Sequence, residues 1–136
     1  MRRLALLVLS LAIGCGSDSA TDPVSTPASL AGTWSLHDIN GILLPIVLTQ
    51  TSTTKTEMLS DVVTATTAGT YTQVTQVRTT MNGQVTMSSA SDTGTYTLTG
   101  SAVVVRSGGG STINGTVKGN TFTIAANGIA LEYHRQ

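Results

Sequence analysis

The chain has 136 residues, of which 40% are hydrophobic and 10% are charged, and its seven basic residues balance its seven acidic residues. Without an excess or a cluster of Lys and Arg, it lacks the electrostatic footprint of a nucleic-acid-binding protein. Its single cysteine, Cys15, excludes an internal disulfide.

Residues 1–14 have the pattern of a signal peptide. Arg2 and Arg3 form a positively charged start, and residues 4–13 form an almost wholly apolar run. This run is about half of the roughly 20 residues that a transmembrane helix needs, so we expect a cleaved signal rather than a permanent membrane span. The segment LAIGC at residues 11–15 resembles the lipobox of bacterial lipoproteins.

The lipobox resemblance implies cleavage before Cys15, lipidation of its sulfur and acylation of the new amino group. Several acyl chains hold a protein stably at a membrane, whereas one chain holds it only marginally. In such lipoproteins an Asp after the cysteine retains the protein at the inner membrane, so Gly16 favours the outer membrane of a bacterial cell envelope. The alternative is an ordinary secreted protein in which Cys15 is a spare buried thiol.

Residues 15–29 are predicted to form the lipid anchor and a tether. The stretch SDSATDPVSTPAS at residues 17–29 consists mainly of small polar residues with two prolines, and it lacks the apolar area needed to fold. Residues 30–136 are then one domain with a modest core. Loss of Arg2 and Arg3 would leave five basic against seven acidic residues, a small negative net charge.

The domain alternates apolar and polar residues with a period of two, which predicts β-strands. Residues 33–36 and 121–124 alternate in this way, and in residues 128–135 Ile129, Leu131 and Tyr133 share one face. The abundant threonines are β-branched, which favours strands. Turns are predicted at the Asn-Gly pairs 40–41, 82–83, 114–115 and 127–128, and at residues 68–69, 92–94, 108–110 and 119–120. At 114–115 a β-bulge is the alternative, because the next strand follows closely.

The segments between these turns predict an all-β domain of eight to ten strands. Short connections imply antiparallel neighbours and therefore an up-and-down meander. Closure into a β-barrel would hide the edges of so many strands, and a two-sheet β-sandwich is the alternative. A transmembrane barrel is disfavoured, because the chain has only one Trp, three Tyr and one Phe for the aromatic girdles.

Gly32-Thr33-Trp34 at the start of the first strand resembles the Gly-x-Trp start of lipocalins and fatty-acid-binding proteins. In those barrels the Trp closes the floor, and a basic residue near the end of the last strand packs over it. The resemblance therefore implies barrel-closing, structural roles for Trp34 and Arg135. An exposed terminal position is the alternative for Arg135.

Residues 30–136 also resemble small bacterial lipoproteins that are described as lipocalin-like. They share the Gly-Thr-aromatic start and an Asn-Gly pair with Leu and Pro close behind, here in residues 40–45. This resemblance implies a barrel of the calycin type.

The two histidines carry no metal-binding pattern by themselves. His37 and Asp38 are adjacent, so in a regular strand they would point to opposite faces and would not pair. Glu132 and His134 share a face and would need a third ligand to hold a metal ion. A solvated strand face is the simpler interpretation, and we expect no metal site and no cofactor.

The acidic residues and the serines indicate no catalytic centre. Glu57, Asp61 and Asp92 are expected near turns or strand ends, and no pair suggests a general acid and base. The Gly-x-Ser-x-Gly elbow of hydrolases is absent from the sequence. We therefore expect a protein that is not an enzyme.

Two functions remain open at this point. The first, which the Gly-x-Trp start, the meander and the anchor favour, is a monomeric, membrane-anchored, non-enzymatic module whose barrel binds a small apolar or lipid-like ligand. The other is a structural or protein-interaction module of the cell envelope whose barrel is filled by its own side chains. An eight-stranded barrel is just wide enough for either, so the sequence leaves both alternatives in place.

Overall fold

The computed structural model describes residues 28–136. The signal peptide, Cys15 and nearly all of the tether lie outside these residues. The described part of the chain contains no helix, and therefore none that would cross a membrane. Its ten strands are β1 (Gly32–Ile39), β2 (Ile42–Leu43), β3 (Ile46–Gln50), β4 (Thr54–Ala65), β5 (Thr70–Met81), β6 (Gln84–Thr99), β7 (Ala102–Ser107), β8 (Thr112–Lys118), β9 (Thr121–Ala126) and β10 (Ile129–Arg135).

Eight of these strands form a closed, up-and-down antiparallel barrel in the order β1-β10-β9-β8-β7-β6-β5-β4. The ring closes where residues 32–35 of β1 pair with residues 62–65 of β4. The second half of β1 pairs instead with β2, and the first half of β4 pairs with β3. The prediction of an all-β barrel is confirmed, and the sandwich alternative was wrong.

The barrel interior is filled by inward-facing side chains that alternate along the strands. Leu36 on β1 lies opposite Tyr133 on β10, and Phe122 on β9 lies opposite both Tyr133 and Val117 on its two neighbouring strands. The buried apolar core comprises Leu30, Trp34, Leu36, Val63, Ala65, Tyr71, Val103, Val105, Val117, Phe122 and Tyr133. Burial of these side chains supplies the main driving force for closing the ring.

The Asn-Gly pairs divide into turns and one strand segment. Asn40, Asn82 and Asn127 have positive φ angles of 52°, 48° and 53°, as the central residues of tight hairpins require, so these three turns are confirmed. Residues 114–115 instead lie inside β8 in regular register with β7, so both the turn and the bulge predicted there were wrong. Residues 92–94 likewise continue β6.

A β-bulge in β1 overturns one further expectation. The ladder between β1 and β10 shifts between Leu36 and Asp38, which makes His37 the extra residue. Because the bulge interrupts the alternation, His37 and Asp38 both lie on the outer side of the barrel. The Nδ1 atom of His37 is 3.1 Å from the Oδ2 atom of Asp38, so the prediction that the two side chains would not pair was wrong.

The sheet of β3, β4, β5 and β6 continues past the ring as an arm, which comprises β3 and residues 54–60, 74–81 and 84–91. Strand β6 pairs with β5 from Gln84 to Thr95, but it pairs with β7 only from Gly94 to Thr99. Within the described residues, the other edge of residues 84–92 therefore has no partner strand. The arm carries the exposed apolar side chains of Val47, Leu48, Val74, Met81, Val85 and Met87.

Candidate functional site

One end of the barrel is closed by the segment before β1. Leu30 enters the interior and is 2% exposed, and Trp34 is fully buried beneath it. The Nε1 atom of Trp34 donates a hydrogen bond of 2.7 Å to the Leu30 carbonyl oxygen. The Trp ring stands edge-on to Phe122 at a centroid distance of 5.9 Å. Leu30 therefore closes this end of the barrel as a plug, and Trp34 holds it in place.

Arg135 covers this plug from the last strand. Its guanidinium carbon is 4.2 Å from the centroid of the Trp34 ring, within the range of a cation–π contact. Its Nη atoms donate hydrogen bonds of 2.6 Å to the carbonyl oxygens of Ala31 and Ser29. The structure thus brings Trp34 and Arg135 together, and Arg135 clamps the backbone on both sides of Leu30.

The contacts of Arg135 explain why a glycine occupies the first position of the Gly-x-Trp motif. Gly32 has a φ of 132°, a conformation that L side chains rarely adopt. A Cβ atom there would meet the Nη1 atom of Arg135. Gly32, Trp34 and Arg135 therefore belong to one arrangement, in which the Arg135 guanidinium lies over the closed end of the barrel.

Asp61 is a carboxylate in the interior, and it is 2% exposed. It accepts hydrogen bonds from Gln73 Nε2 at 2.7 Å, from Thr75 Oγ1 at 2.8 Å and from the Tyr133 hydroxyl at 2.6 Å. Burial, followed by the nearby charge of Asp61, raises the pKa of Tyr133 above its usual range. Tyr133 therefore stays protonated and serves as a permanent donor to Asp61.

A second tyrosine–carboxylate pair lies further around the interior. The Tyr71 hydroxyl donates a hydrogen bond of 2.9 Å to Asp92 Oδ2. Burial and this hydrogen bond raise the pKa of Tyr71 to about 12. Within the described part of the chain, every buried side-chain nitrogen and oxygen has a hydrogen-bond partner. The interior polar groups therefore satisfy one another.

The expected positions of the acidic residues were wrong. Glu57 and Asp61 lie within β4, and Asp92 lies within β6, rather than at turns or strand ends. Asp61 was not predicted as a core residue, because an acidic side chain is almost never fully buried unless it is paired. The period-two pattern could have predicted its burial, because Asp61 lies on the same face of the strand as the buried Val63 and Ala65.

The interior contains a cavity of about 30 Å³. It is lined by Leu30, Val63, Tyr71, Gln73, Tyr96, Val105, Phe122, Ile124 and Tyr133. A cavity of this volume holds about one or two water molecules. Pockets for small-molecule ligands usually measure about 300–1,000 Å³.

A larger open hollow of about 340 Å³ lies outside the plug. It is formed by residues 28–31, by the turn at residues 67–69, and by Tyr96 and Leu98. Leu30 and Tyr96 line both this hollow and the inner cavity, so these two side chains separate the outside of the barrel from its interior.

The outer face of β10 places Glu132 and His134 together, as the alternation predicts. The Nε2 atom of His134 is 2.7 Å from Glu132 Oε1. On the neighbouring β1, hydrogen bonds from His37 and from the Gly41 backbone amide lower the pKa of Asp38. This outer cluster is separate from the interior, because Glu132 and His134 alternate with the inward-facing Leu131 and Tyr133.

No known protein family, curated protein or solved structure matches this chain.

Proposed function

We propose that this protein is a lipoprotein of the bacterial cell envelope, anchored through Cys15, whose small barrel is a non-enzymatic structural or protein-interaction module. The signal-like residues 1–14 and the lipobox-like residues 11–15 support the anchor. The filled interior of the barrel supports a scaffold rather than a carrier. In this proposal the tether carries the barrel away from the membrane surface.

The observation that carries the proposal is the size of the interior cavity. About 30 Å³ is roughly a tenth of the smallest usual ligand pocket, and aromatic side chains from four strands, β5, β6, β9 and β10, line the cavity. Asp61 and its three donors form a hydrogen-bond network in the interior, and the buried polar side-chain atoms of the described residues have partners without a ligand. An apolar ligand would have to displace these groups.

The arm supports a role in protein contacts. Its outer face aligns Val47, Glu57, Arg78 and Met87 across four neighbouring strands. Val47 and Met87 are 45% and 55% exposed, and they flank the ion pair between Glu57 and Arg78. Exposed apolar side chains that lie together on one face are typical of a surface that contacts another macromolecule.

A carrier for a small apolar or lipid-like ligand is the second candidate. The hollow outside the plug favours it, because Leu30 and Tyr96 line both this hollow and the inner cavity. Outward movement of the plug would join the two spaces. This candidate requires the Arg135 clamp and the Trp34 hydrogen bond to open.

Native mass spectrometry of the full chain, produced with its signal sequence and extracted in detergent, tests the proposal. We expect a polypeptide that begins at Cys15 and carries covalent acyl mass, with no further mass retained after incubation with a membrane lipid extract. A denaturing spectrum of the same sample separates covalent from non-covalent mass. A stoichiometric lipid that is lost on denaturation would show that the barrel is a carrier and not a filled scaffold. A chain without covalent acyl mass would overturn the proposal that Cys15 is a lipid anchor.

A further inference from the structure

We propose that His37, Glu132 and His134 form a binding site for a divalent transition-metal ion on the outer face of the barrel, with Asp38 as a positioning residue. The site lies outside the barrel interior, and it is independent of whether the barrel is a scaffold or a carrier. Zn²⁺ is the probe with which we would test it.

The three ligands come from two adjacent, hydrogen-bonded strands. Ser35 lies opposite His134 and Asp38 lies opposite Glu132 in the ladder between β1 and β10, so the bulged His37 projects beside both β10 side chains. The two imidazole rings stack with centroids 4.1 Å apart and an angle of 19° between their planes. One ligand atom from each residue lies within 4.8 Å of those of the other two.

The distances between these ligand atoms are near the range found in metal centres. Zn²⁺ binds imidazole nitrogen and carboxylate oxygen at about 2.0–2.2 Å, which places tetrahedral ligand atoms about 3.3 Å apart. Binding would require the two stacked rings to rotate until their nitrogen lone pairs point at one ion, and the ligand atoms to approach one another by up to about 1.5 Å. The side chains of His37 and His134 are 45% and 44% exposed, so they have room to rotate and the ion can reach them from solvent.

Asp38 selects which nitrogen of His37 faces the ion. Its Oδ2 atom is 3.1 Å from His37 Nδ1, and its Oδ1 atom accepts a hydrogen bond of 2.8 Å from the Gly41 backbone amide. This second bond fixes the carboxylate at the hairpin, and the carboxylate in turn holds Nδ1 as the protonated nitrogen. Nε2 of His37 is then left as the metal ligand, in the carboxylate–histidine–metal arrangement common in metalloproteins.

The donor set indicates the class of ion. Two imidazoles and one carboxylate suit Zn²⁺, Ni²⁺ and Cu²⁺, whereas Mg²⁺ and Ca²⁺ prefer oxygen ligands throughout. Three protein ligands leave at least one coordination position of Zn²⁺ open on the exposed face of the barrel. That position is available to water or to a donor group from another molecule.

Isothermal titration calorimetry of the untagged full chain with ZnCl₂, after chelator treatment, tests the site. We expect one site with a dissociation constant in the micromolar range, and at least a tenfold weakening in each of His37→Gln, His134→Gln and Glu132→Gln. Asp38→Asn should weaken binding by about 10–100-fold although Asp38 is not a ligand. Glu57→Gln, a carboxylate that is ion-paired on the arm, is the matched control and should bind as the unmodified chain does.

The comparison of variants also separates this site from the Cys15 thiol, which all of them retain. Circular dichroism and the thermal midpoint without Zn²⁺ should be the same for the histidine variants and the unmodified chain, because both side chains are largely exposed. The absence of stoichiometric Zn²⁺ binding by the unmodified chain would overturn the proposal. Unchanged binding in either folded histidine variant would overturn it equally.

Discussion

At the scale of single residues, the unusual feature is a carboxylate in the core of a small barrel. An unpaired charge in such a place would be strongly destabilising, because it loses its hydration without compensation. Asp61 is tolerated because three donors from two other strands converge on its two oxygens. These bonds link β4 to β5 beside it and to β10, two strands away around the ring. The acid therefore fixes the relative positions of strands that do not all pair with one another.

Tyr133→Phe removes the donor that reaches Asp61 from β10. We expect the free energy of unfolding to fall by about 1–3 kcal/mol, because a buried acceptor loses a partner while the ring stays in place. Urea unfolding measures this change. Tyr96→Phe is the matched control: its hydroxyl donates to the exposed carbonyl oxygen of Thr66, so we expect a loss of at most about 1 kcal/mol. Equal losses in the two variants would contradict a structural role for the Asp61 network.

At the scale of elements, two local features determine how strands pack in the ring. One is a bulge that interrupts the inward–outward alternation of side chains, and the other is a glycine that lacks a side chain. The bulge at His37 changes which face of β1 is inside, so that Leu36 and Ile39 both face the core. In β6, Gly94 lies opposite Tyr71, and its missing side chain leaves room for the Tyr71 ring. Gly94 also lets β6 approach the backbone of Arg106 on β7.

Gly94→Ala tests the need for this close approach. The new Cβ atom would overlap the Arg106 carbonyl oxygen and press on the Tyr71 ring, so we expect a loss of about 1–3 kcal/mol or more in the free energy of unfolding. Gly109→Ala is the matched control in the β7–β8 loop, where the nearest atom, Ser107 Oγ, would be 3.8 Å away. We expect that variant to be within about 1 kcal/mol of the unmodified chain in the same urea titration. A Gly94→Ala protein as stable as Gly109→Ala would rule out the proposed close packing.

At the scale of the whole molecule, the barrel is closed by a short seam and extended by a long arm. Only four residues of β1 pair with β4, and the two strands then separate to pair with β2 and β3. The arm has little apolar core of its own, so charge pairs contribute to holding its strands together. Glu57 is 5% exposed at the centre of the outer face of the arm, with Lys55 Nζ at 2.7 Å and Arg78 Nη2 at 2.8 Å.

The stability of the arm should therefore fall in acid. Hydrogen bonds from Lys55 and Arg78 lower the pKa of Glu57 below its ordinary value of 4.5. Because the unfolded chain binds the proton more readily, the contribution of Glu57 is fully present above about pH 4.5 and is lost as the pH falls through the lowered pKa. We expect Glu57→Gln to lower the thermal midpoint at about pH 7 and to lower it by less at about pH 3, where part of the contribution is lost. A difference between the two proteins that is the same at both pH values would contradict this assignment.

The sequence by itself determined the strand class, favoured a barrel over a sandwich, and placed Trp34 in the first strand and Arg135 at the end of the last. Alternation and Asn-Gly turns are local signals, because they act through the faces of one strand or the φ angles of one residue. The residues Trp34 and Arg135 could be paired from their resemblance to known barrels, and the structure places them in contact. Several predicted turns were correct because the φ angle of one residue decides them. Residues 92–94 and 114–115 are also of the types found in turns, but pairing with neighbouring strands on both sides keeps them in β-strands.

Only the tertiary structure decided what fills the barrel and what lies on its surface. The burial of Asp61 depends on donors 12, 14 and 72 residues away along the chain, which no local pattern brings together. The cluster of His37, Glu132 and His134 needs a one-residue bulge in β1 and the pairing of the first strand with the last. The small size of the cavity follows from how side chains of eight strands interdigitate. Each of these depends on the register between strands, and the contacts between β4 and β10 and between β1 and β10 also require strands that are distant in the sequence to come together.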